Sequence, residues 1–414
     1  MREMSVEIAV VGAGVIGLAI ALRLAQEGRE VALIDPNAPG SGASYGNAGT
    51  VADYAVLPVG TPDVLRNLPS LLFDRNSPLA IRHAALPTLA PWLLRFARQS
   101  LPKAARRNSL AIAGLLAGAS DDWRALASEI GGADILRANG CLYLYDSPGA
   151  VAAGKADMAR RRDFGIAVEM LDADALSALE PGLPAMAGAA FFPKALFMSD
   201  PGLMVDRLAQ AARGAGAIHL PARVEAIART ARGVDLTGPQ LHLRARQAVI
   251  AAGAHSRALA RMAGDDVPLD TERGYHLEWD MESPRLSRPS SPTARGLYLC
   301  PMAGRLRVAG TVELGGLMAP PSPHRLARLE DGARSIFPDL GPPDRSWMGF
   351  RPSMPDSLPV IGPSRGGPEI LHAYGHGHIG LTLAPLTARF VADLIAGRDP
   401  GPAMAPCLPA RFGR

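Results

Sequence analysis

Lysine is nearly missing from this 414-residue chain: of 43 basic residues only Lys103, Lys155 and Lys194 are lysines. Arginine carries the positive charge and is scattered along the chain. With 39 acidic residues the formal charge is +4, and no basic run is long enough to make a nucleic-acid tail. No nucleic-acid partner is expected. Cysteine is as scarce. Cys141, Cys300 and Cys407 are odd in number and far apart, without a C-x-x-C pair or metal-type spacing. A disulfide framework is excluded and a reducing compartment expected. No run of about 20 apolar residues is present, so no spanning helix is expected. The start, Met-Arg-Glu-Met, lacks the order of a secretion signal. The expected location is cytoplasmic.

What is present is ordinary globular composition, 48% hydrophobic and 20% charged, at a length of two or three folding units. Residues 7–11 read as a buried strand, Val15 to Gln26 as a helix capped by Gly28, and Val31 to Asp35 as a second buried strand. This is a βαβ unit with a right-handed crossover. Gly12, Gly14 and Gly17 form G-x-G-x-x-G at the strand-to-helix turn, with Val15 and Ile16 between the last two. The first glycine permits the turn, the second lets a pyrophosphate approach, and the third packs helix on strand. Free N–H groups at the helix start then meet phosphate. Asp35, followed by Pro36, ends the second strand 18 residues after Gly17. A carboxylate there suits a ribose hydroxyl and repels a 2′-phosphate.

The fingerprint alone does not separate FAD from NAD. The next loop favours FAD: Ser41 to Gly49 is too rich in glycine and polar residues to be only a connector. Ser44, Tyr45, Gly46, Asn47, Ala48 and Gly49 lie where the diphosphate and ring of an extended cofactor run. Metal is not expected, because the His376-x-His378 pair has no third ligand nearby.

Downstream, residues 62–118 read as helical pieces broken at prolines 69, 78, 87, 91 and 102. Residues 120–131, 151–165, 203–215 and 381–396 read as helices. Residues 141–145, 189–193, 222–229, 247–252, 275–279, 296–300, 306–311 and 369–374 read as strands. The fold class is α/β: a Rossmann-like FAD-binding domain, discontinuous in sequence, with a second α+β substrate domain on a mixed or antiparallel sheet. The expected boundaries are 1–82, 150–182, 200–262 and 345–414 for the first, and 83–149, 183–199 and 263–344 for the second. Residues 82–107 are apolar, Trp-containing and basic, the profile of an interfacial anchor at a membrane's inner face. Packing on the second domain is the favoured reading, because Pro87 and Pro91 spoil a continuous amphipathic helix.

Residues 349–362 read Gly-Phe-Arg-Pro-Ser-Met-Pro-Asp-Ser-Leu-Pro-Val-Ile-Gly, and residues 375–382 read Gly-His-Gly-His-Ile-Gly-Leu-Thr. With the first motif these resemble the D-amino-acid oxidase and dehydrogenase superfamily of FAD-dependent enzymes, closest to its D-amino-acid and hydroxyproline dehydrogenase branch. The resemblance covers the whole chain. It implies oxidation of a D-amino or imino acid, such as D-proline or hydroxy-D-proline, by hydride transfer from Cα to flavin N5, with electrons passed to a quinone or partner protein. An oxygen-using sarcosine or glycine oxidase and a flavoprotein subunit of a hetero-oligomer are the alternatives. Arg351 matches the arginine that clamps the substrate carboxylate, a role its planar fork suits. Gly377, His378, Ile379, Gly380, Leu381 and Thr382 match the turn facing the flavin pyrimidine, where donors stabilise negative charge. Ala252 and Gly253 match a turn touching the cofactor, and Val224 the segment holding adenine. Tyr275 or His276 would contact substrate. Of His376 and His378 one reaches the active site and one caps the turn; His376 is the catalytic candidate. The early loop has no histidine and Cys407 does not match the late-cysteine pattern, so FAD is expected to be non-covalent.

Overall fold

The computed structural model describes residues 4–67, 74, 77 and 79–413. The first strand, Met4–Val11, is buried on both faces: Ile8 and Val10 enter one apolar core, Val6, Ala9 and Val11 another. A strand sealed on both sides can be apolar at successive positions rather than alternating. It pairs in parallel with Val31–Ile34 on one side and with Leu241–Ile250 on the other. Ile218–Leu220 extends the parallel sheet beyond Val31–Ile34, and Gly367–Tyr374 extends it beyond residues 248–250. An antiparallel ribbon, Ala226–Thr230 and Gly233–Gly238, joins the lower half of Leu241–Ile250. The helices Val15–Gln26 and Ala384–Ile395 cover one face, packed through Leu18, Leu22, Val391 and Phe390.

A second sheet has nine strands, mostly antiparallel. Its edge is Arg345–Ser353, paired with Asp270–Asp280, which pairs in turn with Arg305–Leu314. Leu297–Met302, Ser290–Pro292, Cys141–Tyr145, Gly188–Phe192 and Glu169–Leu171 follow. On Asp270–Asp280, alternation sends Tyr275, Leu277 and Trp279 into a core closed by Leu329 and Ala333 of the helix Pro323–Arg334. The opposite face carries Glu272, Gly274, His276 and Glu278. It meets the loop 44–49 and the turn 376–382, which belong to the dinucleotide half.

Several segments pair differently from the expected boundaries. Leu79–Ile81, Glu169–Leu171 and Arg345–Ser353 hydrogen-bond into the second sheet, although the sequence places 1–82, 150–182 and 345–414 in the dinucleotide domain. Conversely Ile112, Leu115, Leu116 and Trp123, within 83–149, pack into the first core. Short apolar strands look alike in sequence, and their partners lie tens to hundreds of residues away. The segment 222–229 starts its strand late, at Ala226.

Pro87 opens the helix Leu86–Gln99 and Pro91 lies inside it without ending it. Pro69 and Pro78 lie outside the described residues. The apolar side of this helix is spent inward: Leu89, Trp92 and Phe96 are buried against Ile81 and Leu314. Among the described residues no helix is long and apolar enough to cross a membrane.

Candidate active site

The dinucleotide end is built from strand ends brought to one place. Gly12 has φ +110°, and a Cβ there would lie 2.4 Å from the Ala251 carbonyl oxygen. At Gly17 a Cβ would meet the Gly12 carbonyl oxygen at 1.8 Å. Strand, turn and helix therefore close only with glycine at both positions. Ala251 N–H donates to Val11 at 2.8 Å, which sets Ala252 and Gly253 beside the glycine turn.

The donor chemistry fits a dinucleotide. Gly14 caps the first helix without a side-chain bond, and the first turn holds no acidic residue. The N–H groups at that end carry the positive end of the helix dipole. Ser44 Oγ accepts from Val15 N–H at 2.9 Å, which ties the second loop to the fingerprint. Asp35 Oδ2 accepts from Ala13 N–H and Oδ1 from Asn37 N–H, each at 2.9 Å, so its carboxylate lies against the glycine turn. Pro36 is exposed. Val224 packs at the margin of the second core, just before the strand that starts at Ala226.

The loop 44–49 is gripped from the second sheet. Asn47 folds it on itself, its Nδ2 donating to Ser44 O at 2.5 Å and its Oδ1 accepting from Gly49 N–H at 2.7 Å. Buried Arg307 donates to the carbonyls of Tyr45 at 2.9 Å and Asn47 at 2.7 Å, with its guanidinium 5.4 Å from the Tyr45 ring centre. Glu278 holds Arg307, Arg305 and Arg345. Burial works against its charge, but the three guanidiniums win and bring its carboxyl down to about 2. An open cleft of about 620 Å³ borders this cluster, lined by Tyr45, Asp200, Leu203, Glu278, Arg305 and Arg345. It does not contain Arg351.

His276 also serves the loop. Its Nδ1 is 3.1 Å from Gly46 O, and its ring stacks on Trp347 at 5.0 Å. Trp347 in turn covers Gly46 and Gly349, where a Cβ would come within 2.3 and 2.0 Å of its ring. Burial, aided by Arg307, lowers His276 to about 4, so it is neutral. Tyr275 points the other way. Its Oη donates to Glu313 Oε2 at 2.8 Å and accepts from Ser322 N–H at 3.2 Å, in the core under the sheet. The pair Tyr275 and His276 is thus split by strand alternation, and Tyr275 faces away from the dinucleotide half.

Arg351 and Glu272 are register partners across the two strands. The Arg351 guanidinium lies over Gly274, whose hypothetical Cβ would be 2.4 Å from Cζ. Nη1 donates to Thr311 O at 3.3 Å, a residue with φ +57° at the strand irregularity. Among the described residues Arg351 forms no ion pair. Burial lowers its pKa, against the pull of Glu272. It still keeps some accessible surface.

The two histidines of the late turn go opposite ways. His376 is buried, its Nε2 3.0 Å from Thr387 Oγ1 on the helix Ala384–Ile395, and burial lowers it to about 3. It is a neutral structural pin, which corrects the expectation that it is the catalytic one. His378 instead puts Nε2 2.5 Å from Glu272 Oε2 and stays 39% exposed. Thr382 Oγ1 accepts from Ala52 N–H at 3.0 Å, and Leu381 O accepts from Trp123 Nε1 at 2.8 Å. These bonds fix the turn around Ile379 and Gly380. Glu272 was not singled out from sequence; its one signal was its place in Thr-Glu-Arg-Gly-Tyr-His.

A family model described as FAD dependent oxidoreductase matches residues 7–394. The chain belongs to this family. It is an FAD-dependent oxidoreductase, and the glycine turn, Asp35 and Ser44 are residues that could hold its cofactor. A D-amino-acid oxidase of Bradyrhizobium diazoefficiens is 36% identical over 98% of both chains. A D-amino acid dehydrogenase 2 of Ralstonia nicotianae is 32% identical over 98% of this chain and 100% of its own. Among solved structures, glycine oxidase from Geobacillus kaustophilus superposes with a TM-score of 0.77 and 26% identity, covering 99% of each chain. All three match over at least 98% of this chain.

Proposed function

We propose that this oxidoreductase oxidises D-amino or imino acids at Cα, and that Arg351 holds their carboxylate. The observation that carries the reading is the state of Arg351. It is deeply set, laid flat over Gly274, and without an ion pair among the described residues. A buried cation without a directly bonded carboxylate is costly, and a planar carboxylate is the partner its fork fits. The relatives named as D-amino-acid oxidase and dehydrogenase support the substrate class and its hand.

When bound, non-covalent FAD supplies the acceptor at N5 for the hydride that leaves Cα. The chain supplies position. Arg351 fixes the carboxylate, and Gly274 leaves room for the guanidinium. The grip of Arg307 and His276 on residues 44–49 keeps that loop against the sheet. Held geometry of this kind replaces much of the entropy cost of the encounter. The product imino acid hydrolyses, or stays cyclic when the substrate is D-proline or hydroxy-D-proline. Electrons then pass to a quinone or partner protein.

The test is anaerobic. The purified yellow protein is mixed with D-proline, hydroxy-D-proline, other D-amino acids and sarcosine, and its visible spectrum is followed. Bleaching by a D-amino or imino acid supports the reading; bleaching by sarcosine alone, or by none, contradicts it. Readmitting air then separates use of oxygen from use of another acceptor.

A further inference from the structure

The mechanism above leaves one contact of the site unused: the bond between Glu272 and His378. These residues are 106 positions apart and meet at 2.5 Å beside the register partner of Glu272, Arg351. Burial alone would raise the Glu272 carboxyl. His378 and then Arg351 outweigh it and hold it below the usual carboxylate range, so Glu272 is ionised and can only accept. His378 therefore donates through Nε2–H. Once its other ring proton has left, Nδ1 carries a lone pair. Among the described residues nothing is bonded to Nδ1, and the ring is partly open.

The arrangement suits a zwitterion. Arg351 and Glu272 leave one face of neighbouring strands, and the turn bearing His378 joins that edge through the bridge between Ser353 and His376. We propose that His378, oriented by Glu272, takes the proton from the ammonium group of the amino acid whose carboxylate Arg351 holds. The proposal rests on the functional reading above. In the step an N–H bond of the ammonium breaks and an Nδ1–H bond forms on His378. The amine lone pair so released then assists departure of the Cα hydrogen with its electron pair to FAD, giving the protonated imine. Glu272 is a positioning residue: it fixes the tautomer and offsets the imidazolium charge. The titratable and charged groups facing His378 are Glu272 from one strand and Arg351 from its neighbour. His376, on the same turn, is pinned away on Thr387.

The experiment is rapid-mixing reduction of the holoenzyme by its best D-amino acid, without oxygen, from neutral to alkaline pH. His378→Asn is expected to slow reduction about 100-fold at neutral pH, the scale of a lost general base. The deficit should close above the pKa of the substrate's own amine, where no proton needs removal. Glu272→Gln should show the same pattern at smaller amplitude. Binding of a 2-hydroxy carboxylate, which has no amine, should be unchanged within about threefold, since His378 has no part in gripping a carboxylate. A deficit equal at every pH, or no deficit, overturns the proposal. A test on the unaltered enzyme stands beside these. With substrates of different amine pKa, the acid limb of kcat/KM should stay in place; a limb that moves with the substrate amine overturns the proposal. If no amino acid reduces the wild-type protein at any pH, the functional reading itself has failed.

Discussion

Glu272 and Arg351 stand directly opposite each other on adjacent antiparallel strands, so both side chains leave the same face. Yet they form no ion pair. Glu272 is engaged by His378, and among the described residues the Arg351 side chain bonds only the carbonyl of Thr311. The site thus offers a positive fork and a carboxylate engaged elsewhere, side by side.

Arg351 should be the most sensitive residue for substrate and nearly silent for cofactor. Removing one partner of a buried charge pair costs about 3–5 kcal/mol. Arg351→Ala should lower kcat/KM by roughly 100-fold or more. Arg351→Lys, a point charge without the fork, should fall between. FAD content and the visible spectrum of the free enzyme should not change. Steady-state kinetics with absorbance-based FAD counting checks both.

Gly274 is predicted to be required for the position of Arg351 rather than for the fold of its strand. A methyl group there would meet the guanidinium at 2.3–2.6 Å. Gly274→Ala should raise KM by moving the fork, with a change in stability of about 1–3 kcal/mol from overpacking. A KM within twofold of wild type, measured in the same kinetic assay, would count against the placement of Arg351.

Tyr275 should matter for stability and little for turnover. Its hydroxyl is spent on Glu313 and the Ser322 amide, in the core under the sheet. Tyr275→Phe loses a bond to a charged group worth about 1.5–3 kcal/mol. Thermal unfolding should come several degrees earlier while kcat/KM stays close to wild type.

Acid should weaken the fold in two stages. The unfolded chain binds a proton at a histidine near its ordinary pKa of about 6.5. Folded His276 and His376 resist until about 4 and about 3. Over that window the unfolded state holds more protons, so stability falls as pH falls. Glu278 adds the carboxylate case: its folded value is about 2, so its stabilisation, present above its unfolded value of about 4.3, is lost on descent toward 2. Urea unfolding between pH 7.5 and 4 should show declining stability, less steep in a His376→Asn variant.

The dinucleotide half was legible because its logic is local. Fingerprint, helix, second strand and Asp35 fall within residues 7–35, and each residue type has one physical use there. The late motif marked Arg351 as a candidate only through its resemblance to the family. The second sheet was not legible in the same way. Arg345–Ser353 follows the dinucleotide pattern in sequence but finds its partner at Asp270–Asp280. Alternation shows that Tyr275 and His276 face opposite sides, but not which side is inward. The two-residue spacing of His376 and His378 likewise cannot tell which one meets Thr387. The pairing of Glu272 with His378 needs the folded chain to bring two distant elements together.

The most direct measurement is anaerobic reduction of the bound flavin by paired enantiomers, in the wild-type protein and in Arg351→Ala. Rapid loss of the yellow absorbance with a D-amino or imino acid, slow or absent loss with its L enantiomer, and about 100-fold weaker response in the variant are the predicted results. Equal bleaching of both proteins by the D form would contradict the role of Arg351 as carboxylate clamp. No bleaching of the wild type would contradict the reaction itself.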